Sequence, residues 1–94
     1  MYYFDWDENK NRINLYKHGI TFEEASTVFF DDRALLFDDP EHSLDEDRFL
    51  LLGMSENAKV CIVCHCYRES DTVIRIISAR QATRKEEQRY VRGI

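Results

Sequence analysis

Along the chain, apolar residues change their spacing in a way that separates helices from strands. Tyr2 to Trp6 is a short aromatic run that predicts an opening strand. Asp7 can cap a helix running to about Lys17, and His18-Gly19 stops it with a cation at the C-terminal dipole and a glycine free to turn left-handed. Thr21-Phe22-Glu23-Glu24 fits the T-x-x-E capping box, with Ile20 and Ala25 placed to staple across it. Phe22, Ala25, Ser26 and Phe29 then recur at helical spacing, and Asp31-Asp32 ends this second helix.

Strand signals follow. Ala34 to Phe37 predicts a strand, then an acidic loop from Asp38 through Ser43, then a strand from Arg48 to Met54. After a turn at Ser55-Glu56-Asn57, Val60–Tyr67 and Thr72–Ser78 predict two more, joined at Glu69-Ser70-Asp71. Short turns between neighbours favour an antiparallel meander. Thr83-Arg84-Lys85-Glu86 is a second T-x-x-E box opening a terminal helix, with Gly93 as its stop. The chain shows no repeat and no linker, so the prediction is a single α+β domain over 1–94, ordered β-α-α-β-β-β-β-α.

Several strands are apolar on both sides. In the last, Ile74 and Ile76 point one way while Val73, Ile77 and Ala79 point the other, which requires cover on both sheet faces or a sharply curved sheet. Strict alternation sets Arg75 between Val73 and Ile77, where a charge is costly unless it is paired or faces a cleft.

Composition changes this picture little. At 94 residues, 44% hydrophobic and 33% charged with one proline, the chain matches an ordinary small globular domain and not a disordered one. No apolar run approaches the ~20 residues of a membrane span. The opening Met-Tyr-Tyr-Phe-Asp-Trp-Asp lacks the basic and apolar regions of a secretory signal, so the expected location is the cytoplasm. Charge matters more, because the net −5 is unevenly divided: residues 1–67 carry 6 basic and 14 acidic side chains, residues 68–94 carry 7 and 4. An acidic average opposes bulk attraction to nucleic acid, yet leaves room for a local cationic site. The acidic part equally suits a basic protein partner.

Cys61-Ile-Val-Cys64-His65 fits the C-x-x-C-H haem pattern, and Cys66 extends it towards a zinc cluster. The stretch has strand composition, no Gly or Pro to form a knuckle, and a pattern that sends Cys61 and His65 one way, Cys64 and Cys66 the other. Core cysteines are therefore expected, with no disulfide framework, no metal and no cofactor. His65 is a minor catalytic candidate because it shares a face with Tyr67.

Taken in order, Phe4-Asp-Trp-Asp, Lys10, Asn14, Lys17-His18-Gly19 and Phe22-Glu-Glu-Ala resemble the BrnT family of bacterial type II toxins. The likeness continues through Asp39, His42-Ser43, Glu46-Asp-Arg48, Gly53, Arg75-Ile-Ile-Ser-Ala-Arg80, Ala82, Arg84, Glu86 and Tyr90. The resemblance implies a RelE-like fold, an antiparallel sheet packed by N-terminal helices and a C-terminal helix. It also implies metal-independent cleavage of RNA, mRNA above all, with inhibition of translation. The implied partner is a co-encoded, BrnA-like antitoxin that binds DNA, assembling a dimer or tetramer. The cationic tail segment is a natural target for an acidic covering element of such a partner. The alternative function is a noncatalytic RNA- or protein-binding module of the same fold.

Cutting RNA without a metal needs a group to help deprotonate the 2′-hydroxyl, charge to stabilise the phosphorane, and a proton for the leaving 5′-oxygen. Arginine suits the second task and histidine the others. The catalytic candidates are His18 for proton transfer, Arg75 and Arg80 for phosphate, Lys17 for added positive charge, and Arg48. Lys10, Arg84 and Tyr90 are candidates for RNA binding, Tyr90 by stacking; Lys10, Asn14 and Lys17 share a face of the first helix. Structural readings stand beside these: His18 as part of a helix stop, Lys17 as a solvated cation, Arg48 paired with Glu46 or a loop aspartate, Arg84 and Lys85 as an exposed basic face. Asp39, His42 and Glu46 read as loop-ordering residues. Arg75 and Arg80 lie five apart, so one site holds both only if the strand bends or bulges near Ser78-Ala79. Of the two, Arg75 ranks first.

Overall fold

The computed structural model describes residues 2–42 and 46–94, so the Ser43 end of the expected acidic loop lies outside the described residues. The elements are β1 (Tyr3–Asp5), α1 (Glu8–His18), α2 (Phe22–Thr27), a 3-10 turn at Val28–Phe30, β2 (Leu35–Asp38) and a 3-10 turn at Pro40–His42. Then come β3 (Phe49–Met54), β4 (Val60–Arg68), β5 (Val73–Gln81) and α3 (Arg84–Arg92). Strands and helices follow one another as the spacing predicts.

The five strands form one sheet in the order β1-β5-β4-β3-β2. β2 to β5 are antiparallel neighbours. β1 runs parallel to β5, so the sheet is mixed, which corrects the expectation of an antiparallel one. Backbone satisfaction gives the reason. β5 buries Ile74 and Ile76, and its free side takes Tyr3–Asp5 as hydrogen-bonding partner.

Helix ends follow their local chemistry. The Asp7 carboxylate accepts from the N–H groups of Asn9 and Lys10, and Gly19 closes α1 at φ 72°, a conformation with little steric cost for glycine. Thr83 and Glu86 form a complete capping box. The first T-x-x-E forms only half: the Thr21 hydroxyl accepts from the Glu24 N–H, but the Glu24 carboxylate is drawn away to the Ser55 hydroxyl at 2.7 Å.

α2 lies on one face of the sheet, and α1 is fastened beside it along β5. The core there joins Ile20, Phe22, Ala25 and Val28 to Leu51, Cys61, Val63, Ile74, Ile76 and Ala79. Gly53 belongs to this contact, since an added Cβ would fall 2.8 Å from Val28 Cγ1. The other face buries Leu52, Ile62 and Cys66 and is partly covered by α3. No residue of α3 is fully buried; polar tethers hold it instead. Arg80 meets Glu86 in a two-pronged pair at 2.8 and 3.0 Å, the Tyr90 hydroxyl donates to Asp31 at 2.6 Å, and Arg89 lies over the Phe37 ring.

α1 is attached unusually, because its buried residues are Asn11 and Asn14 while Ile13, Leu15 and Tyr16 stay exposed. Asn14 Nδ2 donates to the carbonyls of Ile20 and Ala79 at 2.9 and 2.8 Å, and Oδ1 accepts from the Ala79 N–H at 3.1 Å. The β1 pairing stops at Arg75, so this carboxamide takes the place of a neighbouring strand further along β5. Asn11 joins α1 to α2, accepting from the Phe22 N–H at 2.7 Å and donating to Glu23.

Two outcomes are expected. Asn14→Ala orphans Ala79's N–H and carbonyl in a buried setting and costs about 2–4 kcal/mol in urea unfolding; a loss under ~0.5 kcal/mol would contradict this. The Arg80 guanidinium, with the Thr83 N–H, holds Glu86 down from 4.5 to about 2. A depressed carboxylate contributes stability that is complete above its unfolded value and lost as pH falls from about 4.5 through about 2. Thermal melts across that window should show a decline that Glu86→Gln flattens, and an equal decline in both proteins would refute it.

Candidate functional site

The cleft face is shaped by an irregularity in β5. Cys64 pairs with Ser78 but His65 pairs with Ile76, so Ile77 is an extra residue, a β-bulge. The bulge shifts the alternation by one residue, which places Arg75 and Arg80 on the same sheet face despite their odd spacing. The expected departure from a regular strand lies one or two residues before Ser78-Ala79.

Beside the bulge lies a cleft of about 350 Å3 whose lining includes His18, Arg48, Arg80, Ser78 and Asp39. Leu50, Ile62 and Ile77 give it an apolar floor. Its walls come from separate elements: the end of α1, the approach to β3, the loop after β2, and β5 past the bulge. His18 reaches it because Asn14, one helical turn earlier, is fastened to Ala79.

Arg80 is held firmly at the cleft. Glu86 occupies both terminal nitrogens, and this hydrogen-bonded pair raises the arginine further above its ordinary value. The side chain remains 43% exposed, and among the described residues no acceptor meets its Nε–H. Arg48 lies 4.0 Å from Glu46, one of the two partners considered for it, and also lines the cleft. Asp39 does both jobs as well: its N–H donates to the Arg48 carbonyl at 2.9 Å, ordering the loop, and its carboxylate forms part of the wall. The Cys64 thiol points to that carboxylate at 3.9 Å, and burial together with Asp39 pushes the thiol upward.

The other candidates are scattered. Arg75 does not line the cleft; its charge is met by Asp5 on β1, and roughly 15 Å of strand separates it from Arg80. Of the two arginines, Arg80 is the one beside His18. Lys17 and Lys10 are exposed on α1, and Arg84 is exposed at the start of α3. Tyr90 lies elsewhere, beside Met54 and Gln81, where burial and the bond to Asp31 push its hydroxyl up to about 12. Burial tends to raise Asp31, but the hydrogen bonds from Tyr90 and the Met54 N–H outweigh it and leave the carboxyl low.

His65 is fully buried on the helix face, ringed by Phe29, Phe49 and Tyr67. Burial lowers its pKa, and it lies across the sheet from the cleft. Cys61 shares that helix face while Cys64 and Cys66 lie on the other, as strand alternation requires. Among the described residues no three His, Cys, Asp or Glu side chains gather as a metal site, and no helix is long and apolar enough to cross a membrane. Sequence reasoning missed Ser78 and Glu41 in the cleft, because their approach depends on the bulge and on the loop after β2.

The architecture resembles that of a solved protein. The 1.1 Å crystal structure of the Brucella abortus ribonuclease toxin BrnT is similar with a TM-score of 0.69 and 22% identity, covering 89% of this chain and 100% of that one. At that identity the likeness speaks for the fold alone. No curated protein sequence matches. The family model for BrnT, the ribonuclease toxin of type II toxin–antitoxin systems, matches residues 6–86. By that match, which spans most of the sequence, the chain belongs to the BrnT family of ribonuclease toxins.

Proposed function

We propose that this chain is an endoribonuclease that cuts RNA, mRNA above all, without a metal, and so inhibits translation. The observation that carries this is the convergence of His18, Arg48 and Arg80 on one apolar-floored cleft. There the 2′-oxygen attacks phosphorus, the P–O5′ bond breaks, and the products are a 2′,3′-cyclic phosphate and a 5′-hydroxyl. His18 handles a proton in this exchange. Arg80, braced by Glu86, offers its Nε–H edge to a phosphate oxygen without reorganising, and Arg48 adds charge from the opposite wall. Lys17 extends the positive field, while Lys10 and Arg84 contact the RNA backbone outside the cleft.

Tyr90 is assigned to holding α3 in place of stacking on a base, since its hydroxyl is committed to Asp31. Arg75 is assigned to fastening β1. Membership in the family implies an antitoxin partner. We read that partner as BrnA-like and DNA-binding, assembling dimers or tetramers with the toxin in the cytoplasm. Two helices packed against a small sheet support reading the fold as RelE-like.

Cleavage of a labelled RNA in the presence of a chelator tests the proposal. Arg80→Ala should slow cleavage about 10²–10³-fold, the usual cost of removing one preorganised donor. His18→Gln should do comparable damage, while Arg75→Ala stays within about tenfold of wild type. Growth arrest on induced expression should follow the same order. Intact RNA with the wild-type protein would leave a noncatalytic binding module, and full activity in Arg80→Ala would refute the cleft.

A further inference from the structure

A second concavity, of about 610 Å3, opens at the end of the sheet where β3 begins and β4 finishes. Leu36, Phe49, Tyr67 and Tyr2 give it apolar walls, and Glu46, Asp47 and Asp71 rim it. Phe49 and Tyr67 alternate with Leu50 and Cys66, so these rings project from the sheet face opposite the His18 cleft. Tyr2 and Leu36 are 55% and 54% exposed, and Phe30, packed edge-on against Phe4 on the same side, is 72% exposed. Scattered exposed apolar residues need no explanation, but a concave group of them rimmed by charge marks an interaction surface.

The rim is acidic and only partly neutralised. Glu46 pairs with Arg68 at 3.2 Å, whereas among the described residues no cation stands within ion-pair distance of Asp47 or Asp71. Over residues 1–67, 14 acidic side chains outnumber 6 basic ones, the same sign as the rim. Such a field repels RNA and attracts cations. An apolar floor beneath it selects, among cations, a peptide segment carrying large apolar side chains between basic ones.

We propose that this groove docks the antitoxin through such a basic, apolar-anchored segment, its cations at Asp47 and Asp71 and its apolar anchor on Leu36, Phe49 and Tyr67. This rests on the toxin–antitoxin reading. Because groove and cleft lie on opposite faces, affinity for the antitoxin and cleavage of RNA by the free toxin are separable properties.

Titration of the purified full-length toxin with its co-encoded antitoxin, at low and at physiological salt, tests the groove. Asp47→Lys and Asp71→Lys should each weaken binding about tenfold or more and reduce its salt dependence. Both variants should keep wild-type cleavage of RNA, which certifies their fold. Arg84→Glu with Lys85→Glu on α3 should change binding less than about threefold. Unchanged affinity in the groove variants overturns the proposal, as does a loss confined to the α3 variant, which would put the partner on the cationic tail. A wild-type toxin that does not bind the antitoxin fails the toxin–antitoxin reading itself, and the groove with it.

Discussion

The placement of α1, and of the cleft at its end, depends on one side-chain amide. Asn14 gives Ala79 a donor and an acceptor at once, and a second donation to Ile20 closes the turn between the helices. A helix with polar residues on its buried side gains little from hydrophobic burial, so α1 owes its position to hydrogen bonds whose loss leaves backbone groups unsatisfied. Because that attachment lies one turn before the end of the helix, the same amide sets where His18 stands relative to Arg80. Stability and the geometry of the site therefore draw on a single contact.

The second constraint is the bulge at Ile77. A regular strand would send Arg75 and Arg80 to opposite faces, and the extra residue brings both to the cleft face while leaving Ala79 in the core. Two carboxylates then give the arginines different partners. Asp5 neutralises Arg75 at the β1 edge, and Glu86, itself fixed by the Thr83 cap, braces Arg80 beside His18. A local capping motif thus positions a cation on another element.

Much of this was legible in the sequence, for reasons that can be named. Element order followed from local signals: Asp7, the two T-x-x-E boxes, the Gly19 and Gly93 stops and the short polar turns. The two-sided apolar strands called for cover on both faces or a sharply curved sheet, and α2 with the turn after it covers one face while α3 in part covers the other. Parallel pairing of β1 was not legible, because three residues carry no directional signal and their partner lies some 70 positions away. Nor was the buried face of α1, since asparagine is normally exposed and its burial makes sense only beside an open strand edge. The need for a bulge could be reasoned from the arginine spacing. Which arginine shares the cleft with His18 could not, because Asp5 and Glu86 reach them through tertiary contacts.

Binding of RNA to the intact site is the most direct test of the account. A short 2′-O-methyl RNA lacks the 2′-hydroxyl that the cut requires, so any contacts it makes can be mapped by amide shifts of the labelled toxin. The largest changes should fall at His18, Arg48 and Ser78 to Arg80, with Asp5 and Arg75 little affected. Changes centred on Asp5 and Arg75, with His18 and Arg80 silent, would contradict it.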